Sequence, residues 1–120
     1  MKTIIAGSRS ITDYNEVKKA VEESGFEITE VVSGACPTGV DPLGEKYAFL
    51  NDIPLKRFPA QWDRYRSAKG KNPGGMIRNR EMAAYAEALI AVYDGVSPGT
   101  KNMITEAQLK GLKVHVHKAE

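Results

Sequence analysis

The chain has 120 residues, 42% hydrophobic and 27% charged, a balance that supports one folded domain with a buried core and argues against disorder. No apolar run approaches the roughly 20 residues that span a bilayer, and one cysteine, Cys36, cannot build a disulfide framework, so a cytoplasmic protein without a membrane partner is expected. The formal net charge is +2, but between Lys56 and Arg80 eight basic residues face one acid, Asp63, so the positive charge is local and points to an anionic ligand or partner.

Lys2 to Ala6 is a short β-branched run, unsuited to a signal peptide, that stops at Gly7-Ser8-Arg9; it predicts a first strand and a loop. Asp13-Tyr14-Asn15-Glu16 has capping-box spacing and opens a helix with Val17, Ala20 and Val21 on its apolar face, ended by Ser24-Gly25. Ile28 to Ser33 predicts a second strand closed by Gly34. Thr38-Gly39-Val40-Asp41 repeats the capping-box form before a helix with Val40, Leu43, Tyr47 and Ala48 on one side. Ile53 to Phe58, with Pro54 near its start, suits a third strand at a sheet edge.

Residues 59–75 have no clear period and contain Pro73-Gly74-Gly75, which predicts a basic loop or lid. Met76 to Glu87 is helical by composition. Ala88 to Tyr93 is a continuous apolar run, the pattern of a central strand buried on both faces. A loop from Asp94 to Gly99, a helix from Thr100 to Lys110 and a strand from Leu112 to His117 complete the chain. Strict alternation predicts an α/β, Rossmann-like three-layer sandwich: one domain over 1–120 with a mostly parallel five-stranded sheet of order 3-2-1-4-5. That order puts a topological switch point between the first and fourth strands, with the loops Gly7–Arg9 and Asp94–Gly99 facing each other across a crevice.

Three strand-end loops carry the candidate chemistry. At Gly7-Ser8-Arg9 a glycine admits a ligand to the backbone, while Ser8 and Arg9 can donate to a phosphate; a plain turn with a solvated arginine fits equally. Between Ser33 and Asp41 the small residues Ser33, Gly34 and Gly39 leave N–H groups uncovered at a helix start, where the helix dipole favours an anion. Asp41 reads as a helix cap, by its Thr-x-x-Asp spacing, or as a group for ribose hydroxyls. Cys36 reads as a small loop residue. Asp94 and Gly95 lead into Gly99, Thr100 and Lys101, which offer backbone, hydroxyl and charge to a phosphate. No Walker motif occurs, nor does Gly-x-Gly-x-x-Gly follow the first strand, which disfavours an ordinary dinucleotide dehydrogenase. The segment Gln61-Trp62-Asp63-Arg64-Tyr65-Arg66 mixes rings and guanidinium groups, as a solvated surface loop, a lid or a single-strand-binding surface would. His115 and His117 have no partners at metal-like spacing; no metal and no cofactor is expected.

Taken together, Ala6-Gly7-Ser8-Arg9, Ser33-Gly34 through Gly39-Val40-Asp41 with Glu45 and Ala48, Arg78-Asn79-Arg80-Glu81-Met82, and Asp94-Gly95 with Ser97-Pro98-Gly99-Thr100 resemble the YspA-like branch of the SLOG superfamily. That superfamily takes in the "lonely guy" phosphoribohydrolases and the DNA-processing Smf/DprA proteins. The resemblance covers essentially the whole chain. It implies a Rossmann-like fold, a nucleotide or nucleotide-derived ligand and frequent homo-oligomers, for which Met82-Ala83-Ala84-Tyr85 is a candidate contact. Arg78 with Met82 matches the phosphoribohydrolases' Arg-Lys-x-x-Met motif, with Asn79 in place of lysine. Of their Pro-Gly-Gly-x-Gly-Thr-x-x-Glu motif Gly99 and Thr100 survive, but Met103 stands where the catalytic glutamate belongs, and Glu106, one turn on, does not replace it. Glycosidic cleavage needs a carboxylate at the sugar. The first expectation is therefore a nucleotide-binding sensor or sequestering module. The rivals are an N-ribosyl hydrolase, with Arg78 on phosphate and Glu81 or Asp94 at the sugar, and a single-stranded nucleic-acid binder using Trp62 and Arg66.

Overall fold

The apolar positions of the two central strands sort into two sets. Along β1 (Lys2–Gly7), Ile4 and Ala6 belong to one buried cluster and Ile5 to another; along β4 (Ala88–Tyr93), Leu89 and Ala91 join the first and Ile90 and Val92 the second. Side chains that alternate across a strand put these clusters on opposite faces of one sheet. The computed structural model describes residues 1–65 and 73–119. The second cluster is closed by α1 (Tyr14–Ser24), through Val17, Ala20 and Val21, and by α2 (Val40–Leu50), through Val40 and Ala48. The first is closed by α3 (Gly74–Tyr85), through Met82 and Ala83, and by α4 (Pro98–Leu109), through Met103 and Ala107. Three layers result.

With β2 (Glu30–Ser33), β3 (Leu55–Arg57) and β5 (Lys113–Lys118), the sheet has the order β3-β2-β1-β4-β5. All four pairings are parallel, so the sheet is fully rather than mostly parallel. In the central pairing Thr3 lies opposite Ala88 and Gly7 opposite Val92, and the two strands end side by side. β3 is shorter than its apolar run: all three residues are exposed at the edge, and Ile53 and Phe58 pack beyond its ends. Helices three and four begin two residues earlier than composition suggests. Gly74 and Gly75 are helical, and Pro98 occupies the first turn of α4, where its missing N–H costs nothing.

Two sequence expectations are narrowed. Of the residues expected at an oligomer contact, Met82 and Ala83 are 1% and 2% exposed within this chain's own core, and Tyr85 packs on Phe58 and donates to Glu30, which leaves Ala84 as the exposed residue of the four. Only half of the first capping box forms. The Asp13 carboxylate accepts from the Asn15 N–H at 2.9 Å, whereas Glu16 turns away to His117, its Oε2 2.6 Å from Nε2. Glu23 meets the other ring nitrogen at 2.7 Å, clamping edge strand β5 to α1. Among the described residues no helix is long and apolar enough to cross a membrane.

Candidate functional site

The chain leaves β1 toward α1 on one face of the sheet and leaves β4 toward α4 on the other, so the strand ends between them lie open. A cleft of about 860 Å³ occupies that position, within the size range of small-molecule sites. Its walls come from Gly7, Arg9 and Ser10 after β1, Cys36 and Asp41 around the start of α2, Trp62, the inner side of α3, and the segment from Asp94 to Met103.

The two loops at the switch point are tied to each other. Ser8 is buried; its N–H donates to the Val92 carbonyl at 3.1 Å and its hydroxyl accepts from the Asp94 N–H at 3.1 Å. Ser8 is thus occupied in holding the loops together. The Asp94 carboxylate accepts from the N–H groups of Val96 and Ser97, each at 2.9 Å, and these bonds hold its pKa below the usual value. A carboxylate stabilised in its charged form is a poor general acid, so Asp94 serves the loop geometry first. Gly95, with φ at 91°, completes that turn and does not line the cleft.

Gly7 and Gly39 are glycines for packing. A β-carbon on Gly7 would lie 2.1 Å from the Val92 carbonyl oxygen and 2.6 Å from Cγ2 of Val40. One on Gly39, whose φ is 81°, would lie 2.4 Å from Cα of Arg9. The helix cap expected at Thr38 is displaced for this reason. The tight contact with the Ser8–Arg9 backbone fixes Gly39 as the residue before the helix, no side chain caps it, and Asp41 falls inside the first turn. Asp41 instead reaches back, Oδ2 accepting from the Cys36 N–H at 3.0 Å. Burial pushes its pKa up, against the pull of that hydrogen bond and of Arg78. Ser33, also buried, donates to Glu45 at 2.7 Å and accepts from the Ala35 N–H at 3.1 Å, supporting the loop from behind.

Arg78 is the central cation of the cleft. Its Nη1 donates to the Gly34 carbonyl, with the Phe58 carbonyl at 3.4 Å, and its Nε donates to Oδ1 of Asn79 at 3.0 Å. Burial lowers its pKa, and the charge of Asp41 opposes that; a guanidinium stays protonated regardless. Asn79, only 6% exposed, passes the connection on: Nδ2 donates to Oδ1 of Asn102 at 2.9 Å and lies 3.4 Å from the Gly99 carbonyl. Arg78 and Asn79 together thus couple the β2 loop to the start of α4. The sequence marks Asn79 only as a departure from a lysine, and Asn102, 23 residues away on another helix, gives no local signal at all. Arg9 lines the same cleft, exposed, with no hydrogen-bond or ion-pair partner among the described residues.

Gly99 differs from the packing glycines. It borders the cleft in the first turn of α4, its φ is unexceptional, and a β-carbon there would meet nothing within 4 Å. Neither the backbone nor the packing requires glycine here. Its bareness keeps the helix N-terminus accessible. Thr100 beside it is 4% exposed, with its hydroxyl 3.4 Å from that of Ser97. Met103 lines the cleft and is 1% exposed, so an apolar thioether forms this part of its wall. Glu106 is buried elsewhere, 3.5 Å from Nε of Arg80. Lys101 and Glu81 are exposed and do not line the cleft. Trp62 does, whereas Arg66, Lys69 and Lys71 of the basic segment lie outside the described residues.

No protein-family model and no curated protein matches the chain. Among solved structures, the crystal structure of DNA processing protein A (DprA) from Streptococcus pneumoniae superposes with a TM-score of 0.71 at 19% identity. The match covers 96% of this chain and 49% of that one, so the chain spans about half the length of the DprA structure. The likeness is one of fold.

Proposed function

We propose that this chain is a SLOG-type binding domain, of the YspA-like branch, for a nucleotide or nucleotide-derived ligand, acting as a sensor or sequestering module. The observation that carries the reading is the pairing, across one cleft at the strand ends, of anchored Arg78 and exposed Arg9 with the open helix start at Gly99. A helix N-terminus holds phosphate through its free N–H groups and dipole, and an arginine through its charged fork of donors. In this reading the phosphate lies among Arg9, Arg78 and the N–H groups at Gly99 and Thr100, and Asp41 or Asn102 meets the ribose hydroxyls. A thermal-shift panel of AMP, ADP-ribose, NAD and cyclic nucleotides tests it: binding at one hundred times Kd adds about 2.7 kcal/mol of stability. A flat panel at saturating concentration overturns the proposal.

A second reading, N-ribosyl hydrolysis, is favoured by one observation: Asp41 is a buried carboxyl in the cleft whose pKa is raised, the property of a general acid. It would use Asp41 in preference to Glu81 or Asp94. Release of free base from nucleoside monophosphates, abolished in Asp41→Asn, supports it, and no release across the set dismisses it. The DNA-processing protein that shares this fold, together with Trp62 in the cleft wall, motivates a binding assay with single strands. Such binding would weaken steeply with salt.

A further inference from the structure

Three large apolar side chains that remain exposed, Trp62 at 45%, Met76 at 51% and Val96 at 80%, border the cleft that holds Arg78. Single exposed apolar residues are ordinary, but several around one concave site mark where a ligand supplies the missing apolar surface. The indole is seated on bare backbone: its Cη2 lies 3.0 Å from where a β-carbon of Gly75 would sit. Gly75 and Met76 lie in the first turn of α3, and Arg78 follows within one turn, about 4.5 Å along the axis from Gly75. An aromatic and apolar end therefore adjoins the cationic end within a single cleft. An inorganic anion would use only one of those ends. A nucleoside 5′-phosphate, with a charged group at one end and a planar ring at the other, uses both.

The geometry points to Trp62 as the platform on which the base of a nucleoside 5′-phosphate stacks, with Met76 and Val96 against the ring and the phosphate toward Arg9 and Arg78. This rests on the reading of the cationic end as a phosphate site. Stacking selects for a planar ring over a bare sugar phosphate and discriminates little among bases, because every base offers a π-face. Its loss by substitution corresponds to roughly a fivefold to hundredfold fall in affinity.

Trp62 is the chain's single tryptophan, so its emission reports on the platform directly. AMP titrated into the intact chain is expected to quench that emission saturably. Ribose 5-phosphate is expected to compete with AMP while leaving the emission unchanged. By calorimetry, Trp62→Leu should weaken AMP about tenfold and ribose 5-phosphate less than twofold, and Trp62→Phe should recover most of the AMP affinity. Trp62→Phe also covers the case in which the leucine variant fails to fold. If ribose 5-phosphate binds as tightly as AMP, or both variants bind AMP like the parent, the stacking platform is overturned and the phosphate site stands. If neither compound binds at millimolar concentration, both fall together.

Discussion

Replacing Gly99 by alanine separates a glycine kept for a ligand from one kept for the fold. At Gly99 the new methyl group meets no atom within 4 Å and the backbone is not left-handed, so the native state accepts it without strain. Removing a glycine's freedom from the unfolded chain then stabilises by about 0.4–1 kcal/mol. For a chain of this length that is a rise in Tm of roughly 2–5 °C. The same change at Gly7 has the opposite sign. A β-carbon 2.1 Å from the Val92 carbonyl oxygen cannot be relieved by turning a side chain, because that oxygen belongs to the central β4 backbone and accepts from Ser8. Overpacking of this kind costs about 1–3 kcal/mol, and here the upper end or beyond is expected. Differential scanning fluorimetry of Gly99→Ala and Gly7→Ala, each with and without AMP, reads both effects. The expected outcome is a Gly99→Ala protein more stable than the parent whose AMP affinity falls at least about tenfold. A Gly99→Ala variant that is destabilised, or that binds AMP like the parent, refutes the argument that this position is bare for a ligand.

The His117 clamp predicts a pH dependence. Burial alone would lower the imidazole pKa, but hydrogen bonds to Glu16 and Glu23 and their charge outweigh it and raise the value above 6.5. With a carboxylate on each ring nitrogen, both nitrogens must donate, which requires the imidazolium. The resulting stability is complete below about pH 6.5, the unfolded value, and is lost as pH rises through the higher folded value. Tm should therefore fall between pH 6 and 8 in the parent and stay flatter in His117→Ala. Asn79→Ala removes the link between Arg78 and Asn102 and strands buried polar groups, so a loss of about 1–3 kcal/mol in urea unfolding is expected, with weaker AMP binding. Ser33→Ala deletes the support behind the β2 loop at a cost of about 1–2 kcal/mol while leaving the cleft's own lining intact, so AMP affinity should change little. Met103→Glu should buy no hydrolysis: a carboxylate at a position 1% exposed either takes up a proton or destabilises the chain, read as a lower Tm at high pH.

The layer order was legible because a few strong signals agree. The unbroken run from Ala88 to Tyr93 has one physical home, a strand covered on both faces, and the alternation of elements then allows few topologies. The site was legible as loops and opaque as contacts. Thr38-Gly39-Val40-Asp41 has true capping-box spacing, yet the close approach of Gly39 to Arg9 shifts the helix start and frees Asp41 to face Arg78; that approach joins residues 30 positions apart and no local pattern encodes it. Glu81 lies outside the cleft for a rotational reason. Three residues beyond Arg78 it has turned to solvent, while Met82, one residue further, comes back to the cleft.

The tight seating of Gly39 on the Ser8–Arg9 backbone, and of Gly7 on Val40 and Val92, divides the cleft into two walls of unequal plasticity. On the wall made by β1 and the start of α2, a change at one loop displaces the other, so neither loop drifts alone. The opposite wall presents Met76 and Val96, both exposed and neither locked between backbones. Diversification of ligand preference, by selection in the laboratory or by descent, has an open path along that second wall. Sequences that share this architecture should differ most there, while the interlocked wall keeps the frame constant.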